Sequence, residues 1–409
     1  MTRSCGGNVR SCPATACCGS PSGHTGPVRI PALGSISALA LTACIGSSAT
    51  TTHDDAGSTM ADAAAVDASL GDGAAAPIAC TAPPSCLHGF TLPGTAFTLP
   101  YYATLPIDEA NPQITSVVVF NQGLDRDADN DFSTLVTAAQ TANALGHTLV
   151  LTPHFEALVN ADGTPCTGHT DTPASTDLLW TCDAWSDGLA STNSPQVTSY
   201  GALDAMLTVV LATFPGAHVT VSGFSAGGQL TQRYVAVNRV DPGTTNGAGA
   251  AFHYVVGDPS SYLYFDARRP ANASTCTSTG CPDGLPVYVD DGGCPGFDDW
   301  KYGTGALEGA AASSTPTQLE QAYVARRVTY LLGMLDDAAT TAADYADLDV
   351  TCAAEAQGAF RYQRGLAFYA YATGLLDAGG SALFTVPGCA HSAPCVFQSD
   401  VGIAAVFGE

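Results

Sequence analysis

The chain has 409 residues, 46% of them apolar and only 12% charged, a balance that excludes both a disordered chain and a coiled coil. With 37 acidic residues against 13 basic ones the formal charge is −24, and a surface of that sign repels phosphate backbones, so nucleic acid is excluded as a partner. The chain has one lysine, Lys301, and no GxxxxGK(S/T) pattern surrounds it, which removes P-loop chemistry as well.

Residues 1–44 read as an address. Arg29 precedes an apolar run from Ala32 to Ala43 that has signal-peptide length and is too short for a bilayer span of about 20 residues. The run ends in Leu41-Thr42-Ala43-Cys44, which resembles the bacterial lipobox and makes Cys44 the expected lipidation site; an ordinary signal peptide with an incidental cysteine is the alternative. Four cysteines upstream (5, 12, 17 and 18) make an unusual leader, so translation is expected to start near Val28. Residues 45–79 hold 11 Ala, five Asp and no aromatic residue, Lys or Arg. So few bulky groups cannot offset the entropy of ordering, and a flexible tether is expected, with a frayed alanine-rich helix as the competing view. The localisation implied is the bacterial envelope or cell surface, the only membrane contact being a lipid anchor.

Residues 80–409 are enough for one large core. Their ten cysteines, Cys80, Cys86, Cys166, Cys182, Cys276, Cys281, Cys294, Cys352, Cys389 and Cys395, predict up to five disulfides in an oxidising compartment. Short loops favour Cys80 with Cys86, Cys166 with Cys182, and Cys389 with Cys395. A zinc site would want recurring CxxC pairs; none occurs, and Cys166-Thr167-Gly168-His169 stands alone.

Strand-like and helix-like runs then alternate. Strands are predicted at Thr115–Phe120, Thr148–Pro153, His218–Ser222, Phe252–Val256, Val328–Leu332 and Ala382–Val386. Helices are predicted at Phe132–Ala144, Tyr200–Thr213, Gln229–Asn238, 318–327 and 358–375. Such alternation predicts a mostly parallel sheet with helices on both faces. Residues 160–197, with Trp180 and Trp185, read as a loop or lid shaping a pocket rather than as core, and 270–300 as a second excursion rich in Cys, Gly and Asp.

The most specific local signal is Gly223-Phe224-Ser225-Ala226-Gly227-Gly228, between a predicted strand and a predicted helix. That context describes a nucleophile elbow, a turn tight enough to demand small neighbours around the serine, with the Ala226 N–H at a helix start where it can stabilise an oxyanion. A serine needs a base and the base an orienting carboxylate. His391 follows the last predicted strand, inside the loop between Cys389 and Cys395. Asp336 follows the strand beginning at Val328, with Asp337 as its neighbour and rival. The order Ser225, Asp336, His391 is that of the α/β-hydrolase arrangement. A second oxyanion donor is expected from the loop Asn121-Gln122-Gly123-Leu124-Asp125, as the N–H of Gly123 or Leu124.

On these residues the chain resembles the α/β-hydrolase superfamily over roughly residues 95–405. The segment Ser222-Gly223-Phe224-Ser225-Ala226-Gly227-Gly228-Gln229 with Arg233-Tyr234, and the ending Val386-Pro387-Gly388 before His391, are similar to extracellular esterases and polyhydroxyalkanoate-depolymerase-like proteins. Two departures stand out: Gln122 where many relatives have His, and Phe224 before the serine. The resemblance implies a serine hydrolase acting on a small-molecule or polymeric ester, monomeric and without cofactor or metal; a peptidase or amidase of the same fold and a surface binding protein without turnover are the rivals. Asp125-Arg126-Asp127-Ala128-Asp129-Asn130-Asp131 imitates an EF-hand start but lacks the glycine at position six and the glutamate at position twelve. His154 follows a predicted strand end, where it lines a pocket or serves structure.

Overall fold

The structure, a computed structural model, describes residues 79–243, 252–271, 288–289, 293–337 and 347–408. The expectations for the leader, Cys44, the alanine-rich tether, Cys276 and Cys281 lie outside the described residues. Eight strands form the central sheet: β1 (Leu87–Thr91), β2 (Thr98–Ala103), β3 (Ser116–Asn121), β4 (Thr148–Pro153), β5 (His218–Phe224), β6 (Phe252–Gly257), β7 (Val328–Gly333) and β8 (Ala382–Val386). Their order is β1-β2-β4-β3-β5-β6-β7-β8. β2 runs antiparallel to both β1 and β4, and every other pairing is parallel. This is a mostly parallel sheet of the α/β-hydrolase type.

Both faces of the sheet are buried, which is why its strands read as continuous apolar runs. Along β3, Val117 and Val119 enter one core, while Val118 and Phe120 enter the other. The first core is closed by helices α2 (Ser199–Thr213) and α3 (Ala226–Val237), through Leu203, Met206 and Leu230. α1 (Ala128–Thr141) covers the opposite face with Phe132, Leu135 and Val136. Val396 and Ala405, from the short C-terminal helices at 393–397 and 400–407, complete that side. α1 begins four residues before the expected Phe132, and Asp129 sits in its first turn, where a carboxylate suits the positive end of a helix. The EF-hand imitation is therefore mostly helix rather than loop. Sequence reasoning passed over the β1–β2 hairpin, whose second strand contains Pro100, a residue that ordinarily argues against an inner strand.

Disulfides join Cys80 to Cys86, Cys166 to Cys182, Cys294 to Cys352 and Cys389 to Cys395. The first two and the last are the short-loop pairs favoured from sequence; Cys294 and Cys352, 58 residues apart, were not separable by proximity. Residues 160–197 are loop-built, but the reading of their tryptophans as pocket-shaping is corrected. Trp180 and Trp185 are fully buried and both pack against Phe155, one edge-on at 5.4 Å and the other stacked at 5.7 Å. Rings this large bury more apolar surface in the core than at a solvent-facing rim, and both indole N–H groups find backbone carbonyls there.

The β5–α3 turn is where backbones approach most closely. A Cβ added at Gly227 would lie 2.0 Å from the Asn121 carbonyl oxygen, and one at Gly228 would lie 2.3 Å from that of Gly257. Neither obstacle is a side chain that can rotate away. Gly227→Ala is therefore expected to destabilise the fold by at least about 1–3 kcal/mol, read as a lowered midpoint in chemical denaturation, whereas alanine at Gly146, which has open space, leaves the midpoint unchanged.

Candidate active site

β5 delivers the chain to Ser225, whose backbone sits at φ 57° and ψ −118°. A non-glycine residue at positive φ costs of order 1–3 kcal/mol and persists only where its surroundings over-determine it. Here the Ser225 N–H is held by the Gly257 carbonyl at 2.9 Å, and glycines 223, 227 and 228 let the flanking strands and helix close around it. The turn thus aims the serine side chain past the carboxyl edge of the sheet.

Two further sheet-edge loops bring their side chains to the same point. His391 Nε2 lies 2.9 Å from Ser225 Oγ, and His391 Nδ1 lies 2.7 Å from Asp336 Oδ2. Asp336 follows β7 through a turn in which its N–H meets the Gly333 carbonyl, and its second oxygen is 3.5 Å from Arg361 Nη1. The loop carrying His391 is pinned to that turn by the Leu335 N–H on the Cys389 carbonyl, and the Cys389–Cys395 bridge closes it. Phe224 lies against the imidazole, ring centroids 4.6 Å apart, which gives the unusual residue before the serine a packing role.

A second carboxyl was missed from sequence. Asp258, immediately after β6, is fully buried at φ 38° and accepts the Gly333 N–H on both oxygens, at 3.1 and 2.9 Å. Burial, then the charge of Asp336, push its carboxyl well above the ordinary range. Its position directly after a strand was the available signal.

The loop after β3 is equally constrained. Gln122 clamps the backbone of Phe155, donating from Nε2 to its carbonyl at 2.8 Å and accepting its N–H at 3.2 Å. The Gly123 N–H is already donated to Asp131 Oδ2 at 2.8 Å. Of the two alternatives expected for the second oxyanion donor, Gly123 thus has its N–H engaged, and Leu124 has its carbonyl gripped by Arg126 Nη1 at 3.1 Å. Ala226 is the first residue of α3, where an N–H has no partner within the helix.

Ser225 and His391 open on a cavity of about 600 Å³ whose walls include Asp125, Asp127, Asp131 and Asp347. A second cavity of about 410 Å³, with Lys301, Tyr302 and Asp349, shares Leu124 and Asp347 with the first. Residues 160–197 reach this second cavity through Asp183 and Ser186, not through their tryptophans. Lys301 is held by Asp187 at 3.3 Å, a carboxylate that also binds Arg233.

A strained serine between strand and helix, hydrogen-bonded to a histidine that is in turn hydrogen-bonded to an aspartate, is the arrangement that serine hydrolases of the α/β type use. No family model matches the sequence, and no curated protein does. Solved structures of similar fold include poly(aspartic acid) hydrolase-1 from Sphingomonas sp. KT-1, 21% identical with a TM-score of 0.49 over 76% of this chain and 96% of that one. A poly(3-hydroxybutyrate) depolymerase from Bordetella parapertussis is 18% identical with a TM-score of 0.48, covering 77% and 85%. The siderophore hydrolase EstB from Aspergillus nidulans is 12% identical with a TM-score of 0.38, covering 78% and 94%. At these identities the likeness is one of fold.

Burial, then the charge of Asp127, push Asp131 up to about 8. A carboxyl raised in the folded state binds its proton more tightly there than in the unfolded chain, so its stabilising effect is complete below pH 4 and is lost as pH rises towards 8. Asp131→Asn keeps an acceptor for the Gly123 N–H and removes that titration. Its melting temperature is expected to match the wild type at pH 4 and to exceed it increasingly up to pH 8, as read by thermal denaturation across that range.

Proposed function

We propose that the protein is an exported serine hydrolase that cleaves carboxylic esters through an acyl-serine intermediate and is tethered to the membrane surface by lipid on Cys44. The observation that carries the reading is the continuous chain from Ser225 Oγ through His391 to Asp336, at 2.9 and 2.7 Å. Ser225 Oγ attacks the ester carbonyl carbon while His391 Nε2 takes its proton. Asp336 fixes the tautomer with the proton on Nδ1 and stabilises the imidazolium that forms. The oxyanion is met by the N–H groups of Ala226 and Leu124. His391 returns the proton to the departing alcohol, which leaves the acyl-serine. Water, deprotonated by His391, then adds to the acyl carbon, and Ser225 leaves with that proton as the free acid departs.

Export is supported by four disulfides, bonds that persist in oxidising compartments. Among the described residues no helix is long and apolar enough to cross a membrane, and a lipid on Cys44 supplies the anchor. The two cavities flanking Ser225 give room for groups on both sides of an ester, in a monomer acting on small or polymeric substrates. Carboxylates along the larger cavity favour neutral or cationic substituents over anionic ones.

Hydrolysis of p-nitrophenyl esters of graded length tests the reading. Ser225→Ala is expected to lower kcat by at least ~10⁴-fold and Asp336→Asn by ~10³–10⁴-fold, both with little change in KM. An ester ending in a carboxylate should turn over more slowly than a neutral one of equal length. Undiminished hydrolysis by Ser225→Ala would rule the mechanism out.

A further inference from the structure

Behind the loop after β3 lies a group of side chains that the proposed chemistry does not use. His154 and Glu156 follow β4, two positions apart along the chain, and Asp171 comes from the loop that the Cys166–Cys182 bridge closes. His154 Nε2 lies 3.2 Å from Asp171 Oδ1, and one ligand atom from each of His154, Glu156 and Asp171 lies within 4.8 Å of the other two. Glu156 is only 5% exposed, and its Oε2 is buried with no hydrogen-bond partner. Buried carboxylate oxygens are ordinarily satisfied, so this one calls for an occupant.

The surroundings suit a cation. Asp171 Oδ2 is already oriented by the Arg126 Nε at 3.0 Å and by the Ala157 N–H at 2.8 Å, which leaves Oδ1 aimed at His154. Outer hydrogen bonds of this kind hold metal-ligating carboxylates in place. Asp177 brings a further carboxyl to the group and is hydrogen-bonded to the Glu156 side chain. Arg126 is the one cation in ion-pair contact with this group among the described residues. The 3.2 Å between imidazole nitrogen and carboxylate oxygen fits two ligands sharing one ion at bonds of about 2.0–2.2 Å.

We infer that His154, Glu156 and Asp171 form a binding site for one divalent cation of the zinc or manganese type. One imidazole and two carboxylates favour these ions over copper, which prefers more nitrogen or sulfur, and over calcium, which prefers oxygen alone. The site would cross-link the end of β4 to the disulfide-closed loop. Through Asp171 and Arg126 it would stand one ion pair from Leu124 on the oxyanion side of Ser225.

The test uses the full chain, stripped with EDTA and titrated calorimetrically with ZnCl2, MnCl2 and CaCl2, alongside Glu156→Gln, which keeps the size of the side chain. The expected result is saturation at one equivalent of zinc or manganese, accompanied by a higher melting temperature, with affinity weakened more than about 10-fold in Glu156→Gln. Should Glu156→Gln not fold, His154→Gln takes its place with the same expectation, and cobalt substitution reads the site directly, through d–d absorption present in the wild type and absent from the variant. Cysteines and histidines elsewhere in the chain would bind equally in wild type and variant. No saturable binding, equal affinity in the variant that folds, or saturation by calcium alone would overturn the assignment.

Discussion

The backbone of Ser225 at positive φ is the constraint from which the rest of the site follows. That conformation exists because β5, α3, the loop after β3 and the end of β6 meet at near-contact distance, with the Asn121 and Gly257 carbonyls lying where side chains at 227 and 228 would be. Glycine at those positions is a steric necessity, and the serine stands alone above them. With its main chain fixed at both ends, the hydroxyl has one place to go, and His391 and Asp336 are built to meet it there. Strain at such a point is tolerated because core packing on both faces of the sheet over-determines it.

The supports around that point form one connected set. Gly333 at the end of β7 donates its N–H to Asp258, accepts the Asp336 N–H and lies under the loop that carries His391. The β3 loop is held by Gln122 on Phe155, by Asp131 on Gly123 and by Arg126 on Leu124. Asp258 and Asp131, both pushed up by burial, perform similar work, each a buried acid whose acceptor oxygen satisfies a backbone N–H close to the Ser225–His391–Asp336 group.

Much of this was legible in the chain itself. β4 and β8 fall on their expected residues, and the remaining expected strands differ by one or two at their ends, because a sheet buried on both faces writes itself as apolar β-branched runs. The elbow was legible because small residues flank a serine between strand and helix. Asp336 and His391 were legible by position, each in the loop after a strand. Other features depended on three-dimensional context. The inner strand β2 hid behind Pro100, and Trp180 and Trp185 hid in a loop-like sequence whose register on Phe155 only folding reveals. Asp258, Asp131 and the His154–Glu156–Asp171 group draw their character from burial and from partners distant in sequence, which spacing alone does not encode.

The central claim is that the hydroxyl of Ser225 is the group that His391 activates. Treating the full chain with a fluorophosphonate and mapping the adduct by tandem mass spectrometry tests it most directly. The account predicts a single phosphonylated residue, Ser225, formed quickly in the native protein and not after unfolding. An adduct on a different residue, or none on the native chain, would contradict it.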